Sequence, residues 1–328
     1  MLPHFFMIMK QTPPVLTLTH YAMATQFELT LYGKAEHYLR TAGEQVFALI
    51  DDLEAQMSFY RRDSDITDIN ARAYREPVHV EPRLFHLLQR IQRWHEETEG
   101  AFDITVAPLL ECWGFVGGTG SLPTETDMEE ARARVGMQHV LLDAEERTIR
   151  FARAGMRLDL GAVGKGYAID CAVELLQELE IENALLHGGT SSVYALGNAP
   201  EGSPWRIAVQ TPYGAAGHYL AEVALSGQSL SISAPHSKSF EQEGVRYGHV
   251  IDPRTGYPAQ SSRLAALLMP SAAQGDALST GLLALGPTGL ATLSKYYPDL
   301  QGMVVLDTEN HGQERTLLGS AWKVQTKT

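Results

Sequence analysis

Residues 184–233 read ALLHGGTSSVYALGNAPEGSPWRIAVQTPYGAAGHYLAEVALSGQSLSIS, and this stretch decides the fold class. Short strand-like runs at Val193–Leu196, Trp205–Val209, Leu220–Leu225 and Ser229–Ser233 are separated by Gly, Pro and Asn, a punctuation that predicts an antiparallel meander. Upstream, a further strand at Ala184–Leu186 follows a helix from Ala168 to Leu179, whose Ala172, Leu175, Leu176 and Leu179 share one face. Downstream come a strand at Leu264–Met269, helices over Asp276–Leu285 and Gly289–Tyr296, and a strand at Met303–Leu306. Toward the N-terminus, Phe27–Tyr32 alternates like a half-buried strand. A long helix over 36–57 then carries Val46, Phe47, Ile50, Leu53 and Met57 on one side, and Leu84, Leu87, Leu88, Ile91 and Trp94 predict a second helix. A Gly-Thr cluster at Gly117–Gly120 and a charged helix from Asp127 to Val135 lead to short strands at Val140–Leu142, Thr148–Phe151 and Arg157–Leu160. Strands and helices mix without the regular period of a doubly wound sheet, so the expected class is α+β. The expected organisation is a polar, proline-bearing leader over 1–21, flexible in part, before one folded unit over 22–328 with a lobe junction near 117–135.

The 328-residue chain, 44% hydrophobic and 20% charged, is long enough to bury a large core. Its formal charge of −13 repels phosphate backbones and anionic lipid, which argues against nucleic acid as a partner. The same field opposes any nucleotide, so a nucleotide site here needs lysine, backbone N–H groups or a cation. Cys112 and Cys171 sit beside apolar residues and read as buried free thiols. The start, MLPHFFMIMKQTPP, has no basic region ahead of its apolar stretch, and nowhere do 18 apolar residues run together. A soluble, cytoplasmic protein is therefore expected.

Five segments carry candidate chemistry. Asp159-Leu160-Gly161-Ala162-Val163-Gly164-Lys165-Gly166-Tyr167 sets three glycines and a lysine between a strand and a helix start, where backbone amides can approach a phosphate. It is not a Walker A loop, because Gly166 stands where Ser or Thr is needed, and a plain glycine-rich turn explains it equally. Asp276 and Thr280 lie one helical turn apart and offer hard oxygens of the kind Mg2+ takes, although Asp276 after Gly275 also reads as a helix N-cap. His249 ends a strand before an Asp-Pro-Arg-Thr-Gly turn and is either a structural imidazole or a base near neutral pH. Tyr60 and Phe102 are each able to stack on a flat ring or simply to pack a helix end. Asp63, Asp65 and Asp68 resemble the start of an EF-hand loop but lack its glycine and final glutamate, so calcium is rejected there.

Taken together, and in this order, the stretches Ala22-Met23-Ala24-Thr25, MSFYRRDSDI, GAFDITVAPL, LDLGAVGKGYAID, PWRIAVQTP, GHVIDPRTGYP and GDALSTGLLALGP resemble the ApbE family of flavin transferases. The resemblance spans residue 22 to about 287. It implies a T-fold-like arrangement of two lobes with mixed sheets and packed helices. It also implies an FAD pocket lined by Met23, Tyr60, Ala101, Phe102, Asp103, Asp159, Lys165 and the backbone at Val250. Mg2+ is implied to lie between Asp276, Thr280 and the Ala162 carbonyl. The implied reaction splits FAD at its pyrophosphate, attaches FMN to a Thr or Ser of an acceptor protein and releases AMP. His249 is implied as the base and Lys165 as a phosphate contact. The competing expectations are an FAD-binding homologue without transfer and an FAD pyrophosphatase.

The chain departs from the family pattern in three places. Asn-x-Gly-Gly followed by an acid becomes His187-Gly188-Gly189-Thr190-Ser191-Ser192, Ser-Gly-Asp-Tyr becomes Ser233-Ala234-Pro235-His236-Ser237, and Met-Gly-Thr becomes Met-Ala-Thr. These changes fall on the acceptor side and around the isoalloxazine. The metal and phosphate elements are mostly intact.

Overall fold

A computed structural model describes residues 14–211, 219–235, 239–260, 262–307 and 313–324. In chain order the strands are β1 (Val15–Ala22), β2 (Thr25–Tyr32), β3 (Val78–His79), β4 (Val140–Asp143), β5 (Thr148–Phe151), β6 (Ala184–Gly188), β7 (Ser192–Leu196) and β8 (Trp205–Gln210). They continue with β9 (Tyr219–Leu225), β10 (Gln228–Ser233), β11 (Ser239–Gln242), β12 (Val245–Gly248), β13 (Leu264–Met269), β14 (Gln301–Asp307), β15 (Gln313–Leu318) and β16 (Lys323–Val324). The helices are α1 (Glu36–Met57), α2 (Asp65–Arg72), α3 (Pro82–Glu97), α4 (Ala107–Cys112), α5 (Glu125–Arg132), α6 (Gly164–Glu178), α7 (Ala272–Leu285) and α8 (Thr288–Ser294).

Among the described residues the main sheet has the order β1-β2-β6-β7-β10-β13-β14-β15, antiparallel throughout. Strand β13 shows how its two faces are used. All six of its residues, LAALLM, are buried. Ala265, Leu267 and Met269 enter the core shared with α1, α6 and α7, whereas Leu264, Ala266 and Leu268 enter a second core beneath the sheet β16-β9-β8. A strand covered on both sides reads as a continuous apolar run, and this one does.

The α+β expectation holds. The meander expectation needs correction, because β8 and β9 leave the main sheet as a hairpin and β7 pairs directly with β10. Trp205 and Val209, alternate residues of β8, face the second core, and burying them pulls the hairpin out of the main sheet. Arg157–Leu160 joins no ladder among the described residues. Its polar groups go to the Asn70 side chain, which accepts from Leu158 N and donates to Leu158 O, and to the Ile104 carbonyl, which accepts from Asp159 N. Part of the expected leader is also structured, since β1 pairs residue for residue with β2, while residues 1–13 lie outside the described set. Asp65 and Asp68 occupy the first turn of α2, which Ser64 caps. Cys171 is buried and its thiol is pushed up to about 11 by burial, whereas Cys112 is only half-buried. No helix among the described residues is long and apolar enough to cross a membrane.

The turn from β1 to β2 has two residues, with Met23 at φ 50° and Ala24 at φ 57°, and Ala22 pairs with Thr25 across it. A two-residue hairpin loop of this hand favours glycine or asparagine, because a Cβ crowds the following carbonyl. Ala24→Gly is expected to raise stability by about 1 kcal/mol, read from the urea midpoint at unchanged m-value. No gain would mean that the turn carries no strain at this position.

Candidate active site

Helix α7 is built from small residues because it lies between the main sheet and α6. A Cβ on Gly275 would come 2.5 Å from Ser231 Oγ, and one on Gly166 only 2.3 Å from the Ala272 carbonyl oxygen. Asp170 on α6 fixes the approach by accepting from Ser271 Oγ, Ala272 N and Ala273 N, so one carboxylate satisfies the exposed amides at the start of α7. The N-cap of α7 is Ser271. Asp276 is therefore inside the helix, in its second turn, and the cap reading of this aspartate falls.

With its cap role gone, Asp276 is a buried carboxylate gripped from two sides. Its Oδ2 accepts from Gly166 N at 2.8 Å, at the first turn of α6, and its Oδ1 accepts from Ser192 Oγ at 2.7 Å, at the start of β7. Burial pushes its pKa up. The Lys165 charge and the hydrogen bonds from Ser192, Ser231 and Gly166 pull the other way without cancelling it. Thr280, one turn on, donates to the Asp276 carbonyl at 2.8 Å and lies 3.2 Å from Ser233 Oγ. Sequence reading missed Ser192 and Ser231, because a serine in a strand carries no signal of the carboxylate it will meet.

Several of the expected residues lie on the elements that surround this grip. The Met23–Ala24 turn lies against the His187–Ser192 loop, where a Cβ on Gly189 would meet Thr25 Oγ1 at 2.4 Å and Gly189 N donates to Gln26 O. Ala162 is half-buried in the turn that opens α6. Met57, at the end of α1, touches the Gly164 position, so Tyr60 follows from the same corner. Partial desolvation first, and the Asp159 carboxylate second, hold the Tyr60 phenol above its ordinary value, which places these two residues near one another. Asp159 Oδ1 accepts from Gly161 N at 2.8 Å and tightens the same turn. His249 directly follows β12, and the preceding Gly248 packs on Pro235, two residues beyond the Ser233 that meets Thr280. Val250 packs on the main core, and its carbonyl accepts from Ala259 N.

The Ala101-Phe102-Asp103 run behaves differently. All three are buried. Phe102 is part of the main core at 1% exposure, its Cβ beside Gly281 of α7, so it offers no face for stacking, whereas Tyr60 is 66% exposed. Asp103 Oδ1 accepts from Thr105 N and Thr105 Oγ1, and Oδ2 accepts from Met137 N, so this carboxylate ties a loop rather than facing the Asp276 grip.

A divalent cation fits the residues at Asp276. Among the described residues no group of three or more His, Cys, Asp or Glu could hold a metal. The Asp276 carboxylate, with the Thr280 hydroxyl one turn on and the expected Ala162 carbonyl, would offer a sparse set of hard oxygens. Mg2+ favours such a set when substrate phosphates complete its shell. The buried charge on Asp276, opposed only by Lys165 and neutral donors, is the unbalanced group that a cation would satisfy.

The sequence profile described as the ApbE family matches residues 23–304. The chain belongs to that family. It is 33% identical over 251 residues to the FAD:protein FMN transferase of Haemophilus influenzae, covering 74% of this chain and 72% of that one. It is 30% identical over 281 residues to the protein of the same name from Treponema pallidum, covering 81% and 77%. The crystal structure of the ApbE protein of Thermotoga maritima superimposes with a TM-score of 0.83 at 28% identity, covering 92% of this ApbE-family chain and 97% of that one. The apo flavinyl transferase ApbE of Pseudomonas stutzeri gives 0.81 at 29% identity, covering 93% and 95%.

Proposed function

We propose that this chain transfers the FMN half of FAD to a Ser or Thr hydroxyl of an acceptor protein, in a Mg2+-dependent reaction that releases AMP. The observation that carries the reading is the junction of α6 and α7, where a buried carboxylate meets the glycine-lysine helix start. The relatives named FAD:protein FMN transferase support the reaction class.

In this reading the acceptor oxygen attacks the FMN-side phosphorus of the pyrophosphate. The bond from that phosphorus to the bridging oxygen breaks, and AMP departs with that oxygen and its electron pair. His249 takes the hydroxyl proton. Lys165 contacts the diphosphate as a point charge at the start of α6, and Asp276, Thr280 and the Ala162 carbonyl would hold Mg2+. When bound, Mg2+ would neutralise charge developing on the diphosphate oxygens. Met23, Tyr60, Asp159 and the Val250 backbone line the flavin nucleotide. Ala101, Phe102 and Asp103 shape the pocket wall from within the core.

Purified protein with FAD, Mg2+ and an acceptor is expected to release AMP while the acceptor gains the mass of FMN. AMP with no change in the acceptor would mean hydrolysis, and FAD retention without AMP would mean passive binding. His249→Ala is expected to lower kcat about 10²- to 10⁴-fold, the usual share of a general base, while FAD affinity stays within about twofold. Unchanged kcat would remove His249 from the reaction.

A further inference from the structure

A cleft of ≈ 380 Å³ opens beside the 100–103 segment; it shares Asp103 with the expected flavin lining but none of Asp276, Thr280, Lys165, Ala162, Tyr60 or His249. Its lining brings together Arg132 from the end of α5, Arg153 from beyond β5 and Arg254 from the Asp-Pro-Arg-Thr-Gly turn, along with the imidazoles of His95 and His139. These residues are scattered over 160 positions of a chain whose net charge is −13, so the concentration of cations is local and built by the fold.

The charges are not equivalent. Arg254 is spent on Asp252, with Nε and a terminal nitrogen donating to the two carboxylate oxygens at 2.9 and 2.7 Å. Arg132 and Arg153 have no such partner. Arg132 donates to the Arg254 carbonyl at 3.2 Å and Arg153 to the Ala133 carbonyl at 3.3 Å. Among the described residues neither forms an ion pair with a carboxylate. Asp103, the one acid among the described lining residues, is buried, already accepts from Thr105 and Met137, and lies 3.4 Å from His95 Nδ1. His95 Nδ1 bonds the Phe102 carbonyl at 2.9 Å, which leaves its other ring nitrogen available. Burial and then the Arg153 charge lower the His139 pKa while Asp103 opposes them, so the arginine's field is felt inside the cleft.

We infer that this cleft is a second anion site, adjoining the flavin pocket at Asp103 but apart from the Asp276 grip, that takes a small phosphate-bearing ligand of about mononucleotide size. Guanidinium groups match phosphate oxygens in a planar, two-pronged contact, and two arginines without acids across one cleft are the donor set a phosphomonoester requires. The volume is at the lower end of ligand pockets, which suits a mononucleotide. The inference stands independently of the proposed transfer reaction, since it uses neither its metal nor its base.

The test is calorimetric titration of the full chain with inorganic phosphate, AMP and adenosine, repeated in His249→Ala protein saturated with FAD and Mg2+, with no acceptor present, so that turnover is suppressed and the flavin pocket is filled. Phosphate or AMP is expected to bind in that background, and adenosine is not. Affinity should fall at least about tenfold in Arg132→Gln/Arg153→Gln and weaken as salt rises. AMP binding well above phosphate would mark a nucleotide site, and equal affinities a phosphate pocket. Both arginines are exposed, so melting should be unchanged, and the single Arg153→Gln variant carries the test if the pair does not fold. Displacement of AMP by FAD, or unchanged binding in the arginine variants, would overturn the proposal.

Discussion

Replacing Asp276 with asparagine is expected to abolish Mg2+-dependent transfer while leaving the fold as stable as before. The carboxylate is buried, its two oxygens accept from Gly166 N and Ser192 Oγ, and its charge is opposed by Lys165 alone among formal charges that lower its pKa. Losing the charged ligand removes several kcal/mol of stabilisation from the transition state. About 4 kcal/mol corresponds to a factor of about 10³ in rate. The stability argument has the opposite sign. Burial raises the pKa of Asp276, so the folded protein keeps this proton to a higher pH than the unfolded chain does. As pH rises through that window, from the ordinary carboxylate value to the raised one, the metal-free fold loses stability, and above it the loss is complete. Asparagine carries no charge to desolvate, so its melting temperature at neutral pH should equal or exceed that of the parent. Added Mg2+ should raise the melting temperature of the parent and not that of the variant, and the acid limb of this shift should lie above the usual carboxylate range. A variant that still gains stability from Mg2+ would show that the cation binds elsewhere.

Gly166→Ala is expected to cost about 3 kcal/mol, measured by urea unfolding. The new methyl would meet the Ala272 oxygen at 2.3 Å, its carbon at 2.5 Å and Ala273 N at 2.7 Å. All three are backbone atoms with no flexible end to yield, so α6 and α7 must part, at the upper end of overpacking costs. Parting them also stretches the Gly166–Asp276 bond and the Asp170 contacts to Ala272 and Ala273. FAD turnover should therefore fall with stability. Gly164→Ala, two residues earlier, is the control, since its methyl would meet only Met57 Cε at 4.0 Å. It should change stability by no more than about 1 kcal/mol and in the favourable direction, because alanine is the better helix former. Equal losses in the two variants would mean that the close approach of α6 to α7 at Gly166 does not set the effect.

Where the sequence spoke clearly, a strong local period was at work. Helix α1 and strand β13 fall on the residues read for them, because one shows an apolar stripe and the other an unbroken apolar run. Local pattern failed where the partner was distant. Arg157–Leu160 has the composition of a strand, yet its neighbour is the Asn70 side chain, 88 residues from Leu158. The helix α7 starts earlier than Asp276 because Ser271, followed three residues on by Gln274, is its cap, a signal that Asp276 after Gly275 obscured. The candidate metal residues were legible through their motif wording, whereas Ser192, 84 residues from the aspartate it supports, was not. Phe102 looked available for stacking because Gly100 precedes it, but its ring lies in the core. The arginine cleft was invisible for the same reason, being assembled from three distant segments.

The contact between Gly166 and Asp276 spans 110 positions of the chain. During synthesis, a nascent polypeptide that has emerged only as far as β10 already contains the glycine-lysine turn but not the carboxylate that faces it. Such an intermediate has no means of gripping a metal and a diphosphate together, so competence for the dinucleotide arrives late and all at once, when α7 docks.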